Sequence, residues 1–170
     1  MEIILRFIDI CRFKATPADV PASKFLLQIS VVIYFILGIL MGRLSDDWNV
    51  SLATSLSDLV LMIIVTSLLL KMRGLQARTQ QTITAMAGAG SCLTIVGMPI
   101  VAWFYQTTEQ DQVNGMALLF MVMLMFWILM VTAHIFRYAL DIKSSTAAML
   151  TVAYTVLSIL ATGLAMSGVA

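Results

Sequence analysis

The sequence predicts an all-α polytopic membrane protein, five transmembrane helices preceded by a short amphipathic interfacial helix. Three observations predict it. Of 170 residues, 61% are hydrophobic and 11% charged, with a mean hydropathy of +0.98; a soluble domain carries about a quarter of its residues as charges, so this chain lacks a polar coat. Five apolar stretches are long enough to cross a hydrocarbon core, which takes roughly 20 helical residues. Ahead of them, charged and apolar residues recur at helical spacing on opposite faces.

That first segment covers residues 1–23. Glu2, Arg6, Asp9 and Arg12 recur at steps of three and four and share one helical face, while Ile3, Ile4, Phe7, Ile8 and Cys11 share another. The pattern predicts a helix lying in the membrane interface or, equally, one docked on the cytoplasmic ends of the bundle. It has neither the uninterrupted apolar core nor the small-residue cleavage site of a signal peptide. Pro17 and Pro21 then end the helix and turn the chain into the first span.

The spans are expected near residues 25–42, 51–70, 82–105, 115–136 and 146–168, forming one domain over 24–170. Lys71, Arg73 and Gly74 close the second with a basic last turn and a glycine cap, and Ser144 or Ser145 is placed to cap the fifth. Orientation follows from the basic residues. Arg6, Arg12, Lys14, Lys24, Lys71, Arg73, Arg78, Arg137 and Lys143 fall on one side and Arg43 alone on the other. This predicts a cytoplasmic N-terminus and an outer C-terminus, with Asp46, Asp47, Glu109 and Asp111 in outer loops. Trp48, Trp103 and Tyr105 are expected at the outer interface and Tyr138 at the inner one.

One formal charge lies well inside a span. An aspartate at mid-membrane costs roughly 2.5 to 3.5 kcal/mol on insertion scales, so Asp58 is expected to face inward. Ser51, Ser55 and Asp58 lie at i, i+4 and i+7 and give that helix one polar stripe. Counting depth along the helices puts Tyr34, the stretch from Ile95 to Pro99, and Thr162 at the same level. Pro99 frees the Ile95 carbonyl as an acceptor for a protonated Asp58. Two readings follow: a proton or cation site, or a neutral acid that only ties helices together. With no second intramembrane acid, the structural reading is preferred.

The remaining candidates read as architecture. His134 is the only histidine; it lies too far from Asp58 for a relay, has no partner ligands at metal spacing, and is expected at the inner interface beside Arg137. Met121 and Met125 share a face that Met123 does not, so the methionines read as adaptable packing. Trp127 needs a partner for its indole N–H, which favours the bundle interior. Gly38 and Gly42 form a GxxxG motif, and Gly88 and Gly90 sit in a run of small residues, so close helix packing is expected at both. Cys11 and Cys92 are too few for a disulfide framework or a thiolate zinc site. A net charge of +1 leaves no nucleic-acid footprint, and no nucleotide loop, serine elbow or zinc-protease motif is present.

The short amphipathic start, the prolines Pro17 and Pro21 before the first span, five helices with a cytosolic N-terminus, and Pro99 in the third span together resemble the Yip1-type family of five-span membrane proteins. The segment from Pro17 to Ser23 also resembles uncharacterised small inner-membrane proteins of proteobacteria. The long cytosolic region and polar motifs of eukaryotic Yip1-type members are missing. The resemblance implies an organiser or adaptor, supplies no catalytic residue, and does not carry over a role with small GTPases. The resulting expectation is a non-enzymatic multi-pass protein of a bacterial inner (plasma) membrane, without cofactor or metal, acting as an assembly or interaction factor. Its partners would be the lipid bilayer and another membrane protein or a second copy of itself. The alternative is a small proton- or cation-coupled transporter or channel subunit using Asp58 with Tyr34, Ser55 and Thr162.

Overall fold

A computed structural model describes residues 2–108 and 115–169, so Glu109 and Asp111 lie outside the described residues. Six α-helices follow in order: α1 (Glu2–Cys11), α2 (Lys24–Gly42), α3 (Trp48–Met72), α4 (Thr79–Thr108), α5 (Gly115–Leu140) and α6 (Ser144–Val169). No strand occurs among the described residues. Helices α2 to α6 are the five long and apolar enough to cross a membrane, and each contains the span expected from hydropathy.

The five long helices close a ring in the order α2, α3, α6, α5, α4. Their connections place Lys24, Lys71, Arg73, Arg78, Arg137 and Lys143 at one end of the bundle, the basic end, and Arg43, Asp46 and Asp47 at the far end. The most buried is α4, because small residues let neighbours approach it from several sides. Ala85, Ala87 and Ala89 are buried there, and the hydroxyls of Thr82, Thr84 and Ser91 each donate to the carbonyl four residues back, so these polar groups enter the interior satisfied.

The glycines mark where helices touch. A Cβ on Gly38 would lie 3.1 Å from the Ser55 hydroxyl and one on Gly42 3.1 Å from the Ser51 side chain, so the GxxxG of α2 seats two serines one turn apart on α3. At Gly90 the space belongs to the Tyr34 ring, 2.7 Å from a Cβ position, and at Gly88 to the Phe7 ring, which a Cβ would overlap.

Phe7 shows where α1 goes. It does not lie across the helix ends: Phe7, Ile10 and Cys11 are buried, the Cys11 thiol donates to the Ala89 carbonyl (3.6 Å), and the Trp127 indole N–H donates to the Cys11 carbonyl (3.0 Å). Ala89 is ten residues into α4 and Trp127 thirteen from the end of α5, so the tip of α1 reaches about 15 to 20 Å along the bundle from its basic end. A notch of small residues on α4 accepts Phe7, Ile10 and Cys11, a docked placement nearer the second of the two expected for α1 than the interfacial one. Ile4 and Ile8 stay exposed beside it. The helix ends in a Schellman turn with Phe13 left-handed (φ 62°), Phe13 N–H donating to Ile10 and Lys14 N–H to Asp9. The chain then returns past His134, whose Nε2 meets the Ala15 carbonyl at 2.9 Å, to Gln81, whose amide donates to the Val20 carbonyl.

His134, near the basic end of α5 and three residues before Arg137, packs between Phe13 and Tyr138 and holds this returning segment in place. One detail differs from expectation. Ser144 and Ser145 lie inside the first turn of α6, so neither precedes it as a cap. The cap at Gly74 is present, left-handed at φ 71°, with Leu75 N–H returning to the Leu70 carbonyl.

Candidate functional site

The ring of helices encloses one carboxylate. Asp58 leaves α3 toward the interior, and both its oxygens accept hydrogen bonds: Oδ2 from the Tyr34 hydroxyl at 2.6 Å and Oδ1 from the Ser158 hydroxyl at 2.7 Å. Three helices therefore converge on one side chain. Tyr34 reaches it because Gly90 leaves room for the ring between α2 and α4, and Ser158 because α6 packs closely on α3.

Asp58 is half-buried, and two cavities explain its remaining exposure. One, of about 320 Å³, runs toward the far end between α2, α3 and α4, lined by Gly38, Gly42, Ser45, Ser55 and Tyr105. The other, of about 240 Å³, lies deeper, among Met62, Met86, Val131, Ile135 and Tyr154. Tyr34, Asp58 and Thr94 line both. The carboxylate thus stands in a partition shared by the two cavities, with Gly38, Ser45 and Ser55 on one side and a largely apolar chamber on the other. Among the described residues neither wall contains Lys, Arg or His, and the donors that face the acid are hydroxyls.

Of the residues the sequence grouped with Asp58, Tyr34 touches it and Ser55 lines the same cavity, buried against Gly38. Thr162 does not join them. Its hydroxyl donates to the Ser158 and Ile159 carbonyls of its own helix, and Ser158, one turn earlier, takes the position expected of it. The Ile95 carbonyl does not take the place expected of it: the Asp58 oxygens meet the Tyr34 and Ser158 hydroxyls, and α4 brings Gly90, Leu93 and Thr94 to the cavity. Depth counting gives a level but not the helix's rotation, and a single residue step turns a side chain by about 100°.

Ser158, Tyr154 and Thr94 were missed by sequence reasoning. A signal for Ser158 exists: Thr151, Thr155, Ser158 and Thr162 recur at i, i+4, i+7 and i+11, the same polar stripe on α6 that Ser51, Ser55 and Asp58 make on α3. Met123 and Met125 are exposed on the outside of α5, so no thioether cluster forms there. No group of three or more metal-ligating side chains occurs among the described residues.

No family model, curated protein or solved structure matches this chain.

Proposed function

We propose that this chain is a multi-pass protein of a bacterial plasma membrane, its basic end in the cytoplasm, and that Asp58 takes up and releases a proton or small cation between the two cavities, as in a small coupled transporter or channel subunit. The sidedness rests on nine basic residues against one. The exchange rests on one observation: the carboxylate forms part of the wall of both cavities and is held only by hydroxyls. Intramembrane acids face cavities and mark ion or proton paths, because their insertion cost is otherwise uncompensated.

That geometry moves the preference away from the assembly factor favoured by sequence. A purely structural acid needs a partner and no access. Asp58 has partners and also two volumes into which a proton, water or cation can pass. Hydroxyls suit the task, since each can donate to the carboxylate and, after rotating, accept from a protonated acid or coordinate a cation.

Carbodiimide modification tests this, because the reagent adds to protonated carboxyls that it can reach through an apolar phase. The expected result is a single adduct at Asp58, formed faster at low pH and absent from Asp58→Asn. A protein that Asp58→Asn leaves fully stable, and whose Asp58 never reacts at any pH, would return Asp58 to a structural role and favour the assembly reading. Sidedness is tested by single cysteines at Gln76 and Asp46, which should react with impermeant thiol reagents only from the inside and only from the outside, respectively.

A further inference from the structure

The deeper cavity is larger and more apolar than proton exchange requires. It holds about 240 Å³ among Met62, Met86, Val131 and Ile135, and its polar groups gather at one end, where Asp58, Ser158, Tyr34 and Tyr154 meet. The hydroxyls of Thr94, Thr132 and Thr155 also border it, but each donates to a carbonyl of its own helix, the residue four positions back. Ile128, at the cavity's edge, is 40% exposed on the outer surface of α5. The chamber therefore reaches a partly exposed side chain of α5.

We infer that this cavity binds a small organic ammonium, its charged nitrogen on Asp58 and its apolar body among the methionines and branched side chains. The inference rests on the reading of Asp58 as an exchangeable carboxyl and names what else that carboxyl receives. Three physical arguments carry it.

The first is coordination. A hard metal cation needs six or more oxygens at short distance; this pocket offers a carboxylate, one serine and two tyrosines at one end, three threonine hydroxyls already bonded to their own helices, and otherwise hydrocarbon and thioether. A metal ion passing Asp58 would have to keep much of its water shell in this chamber. An ammonium needs only one anion and one or two acceptors, and its carbon substituents complete the fit. The second is aromatic character. Tyr34 and Tyr154 flank the acid, and aromatic rings attract organic cations electrostatically. The Tyr154 ring is held edge-on against Phe136, with centroids 5.7 Å apart, so it is positioned before any ligand arrives. The third is composition. A largely apolar chamber with a few convergent polar groups is the ordinary character of a small-molecule site, and polarizable methionines adapt to varied ligand shapes.

The test uses the full chain in lipid nanodiscs, with N,N-dimethyl-2-phenylethylamine, a tertiary amine that cannot couple to the activated carboxyl, as the probe and 2-phenylethanol as its uncharged counterpart. The amine is expected to slow carbodiimide labelling of Asp58 at least about fivefold, the alcohol to leave it unchanged, and amine binding to weaken about tenfold or more in Asp58→Asn. Because Asp58→Asn removes a residue of the packed interior, Val131→Phe serves as a second variant. It fills the chamber without touching the acid, and should abolish protection by the amine while carbodiimide labelling persists. Equal protection by amine and alcohol would overturn the inference, reducing the chamber to an apolar void. No protection by either, with labelling still pH-dependent, would overturn it while leaving Asp58 as a proton site. No labelling under any condition would overturn both this inference and the reading beneath it.

Discussion

Gly88→Ala adds one methyl group where the Phe7 ring already sits, and it tests whether α1 is held in the bundle by fit. The ring is the obstacle to a Cβ at this position, so either α1 withdraws or α4 shifts. In the docked state Phe7 and Ile10 are both buried, each worth about 1.5 to 3 kcal/mol against exposure to water. The Trp127 and His134 contacts to the Cys11 and Ala15 carbonyls add about 1 kcal/mol apiece. These are upper figures, because an undocked α1 would rest its apolar face on lipid, which costs it little of the transfer term. Overpacking by one methyl costs about 1 to 3 kcal/mol. The methyl therefore takes a large share of the docking free energy and multiplies the undocked fraction by about fivefold to a hundredfold. Cys11, buried at the tip of α1, reports it: in a Cys92→Ala background its thiol labelling should accelerate by that factor. Phe7→Ala loses the ring's own contribution but removes the overlap, so Gly88→Ala should accelerate Cys11 labelling far less in a Phe7→Ala chain than in the native one. Unchanged Cys11 labelling in Gly88→Ala, or an equal effect of Gly88→Ala with and without the ring, would refute docking by fit.

Trp127→Phe leaves the Cys11 carbonyl without its indole donor and should cost about 1 to 3 kcal/mol, read as faster Cys11 labelling without loss of the five long helices. Gly42→Ala places a Cβ 3.1 Å from the Ser51 side chain and 3.3 Å from its Cα. Backbone cannot swing aside as a ring can, so detergent thermal unfolding should show a loss of about 1 to 3 kcal/mol. Gly163→Ala, with open space around it, should cost nothing or stabilise slightly. Asp19 accepts the Thr16 amide (2.7 Å) and hydroxyl (2.9 Å), which holds its carboxyl below the ordinary carboxylate value. With the folded value depressed, the stability of this turn is present above the ordinary value and is lost as pH falls through the depressed one. Limited proteolysis near Pro17 should therefore accelerate on acidification, and Asp19→Asn should remove that pH response.

Much of this architecture is legible in the sequence because its causes are local. Hydropathy over twenty residues decides each long helix, and Gly74 ends α3 because its backbone accepts a left-handed turn. That Asp58 faces inward is equally legible, since the cost of a lipid-facing carboxyl leaves it no other direction. The path of α1 is not. It depends on a notch at Gly88 and an indole at Trp127, the latter 116 residues from its acceptor, and amphipathicity states only that one face is apolar, not what covers it. The partners of Asp58 are half legible for a related reason: Tyr34 was found by depth, while Ser158 was displaced by one turn to Thr162, because rise per residue fixes height and not the offset between neighbouring helices. The cavities themselves arise where five helices fail to fill their common interior, a property of the whole ring that no segment records.

The central claim is that Asp58 changes protonation state in the folded protein, and infrared difference spectroscopy of the chain in nanodiscs measures this directly across a pH titration. A protonated-carboxyl stretching band that appears and vanishes reversibly, and is missing from Asp58→Asn at every pH, is the result predicted here. A difference spectrum in which no carboxyl band depends on Asp58, from a variant that unfolds at the same temperature as the native chain, would contradict it.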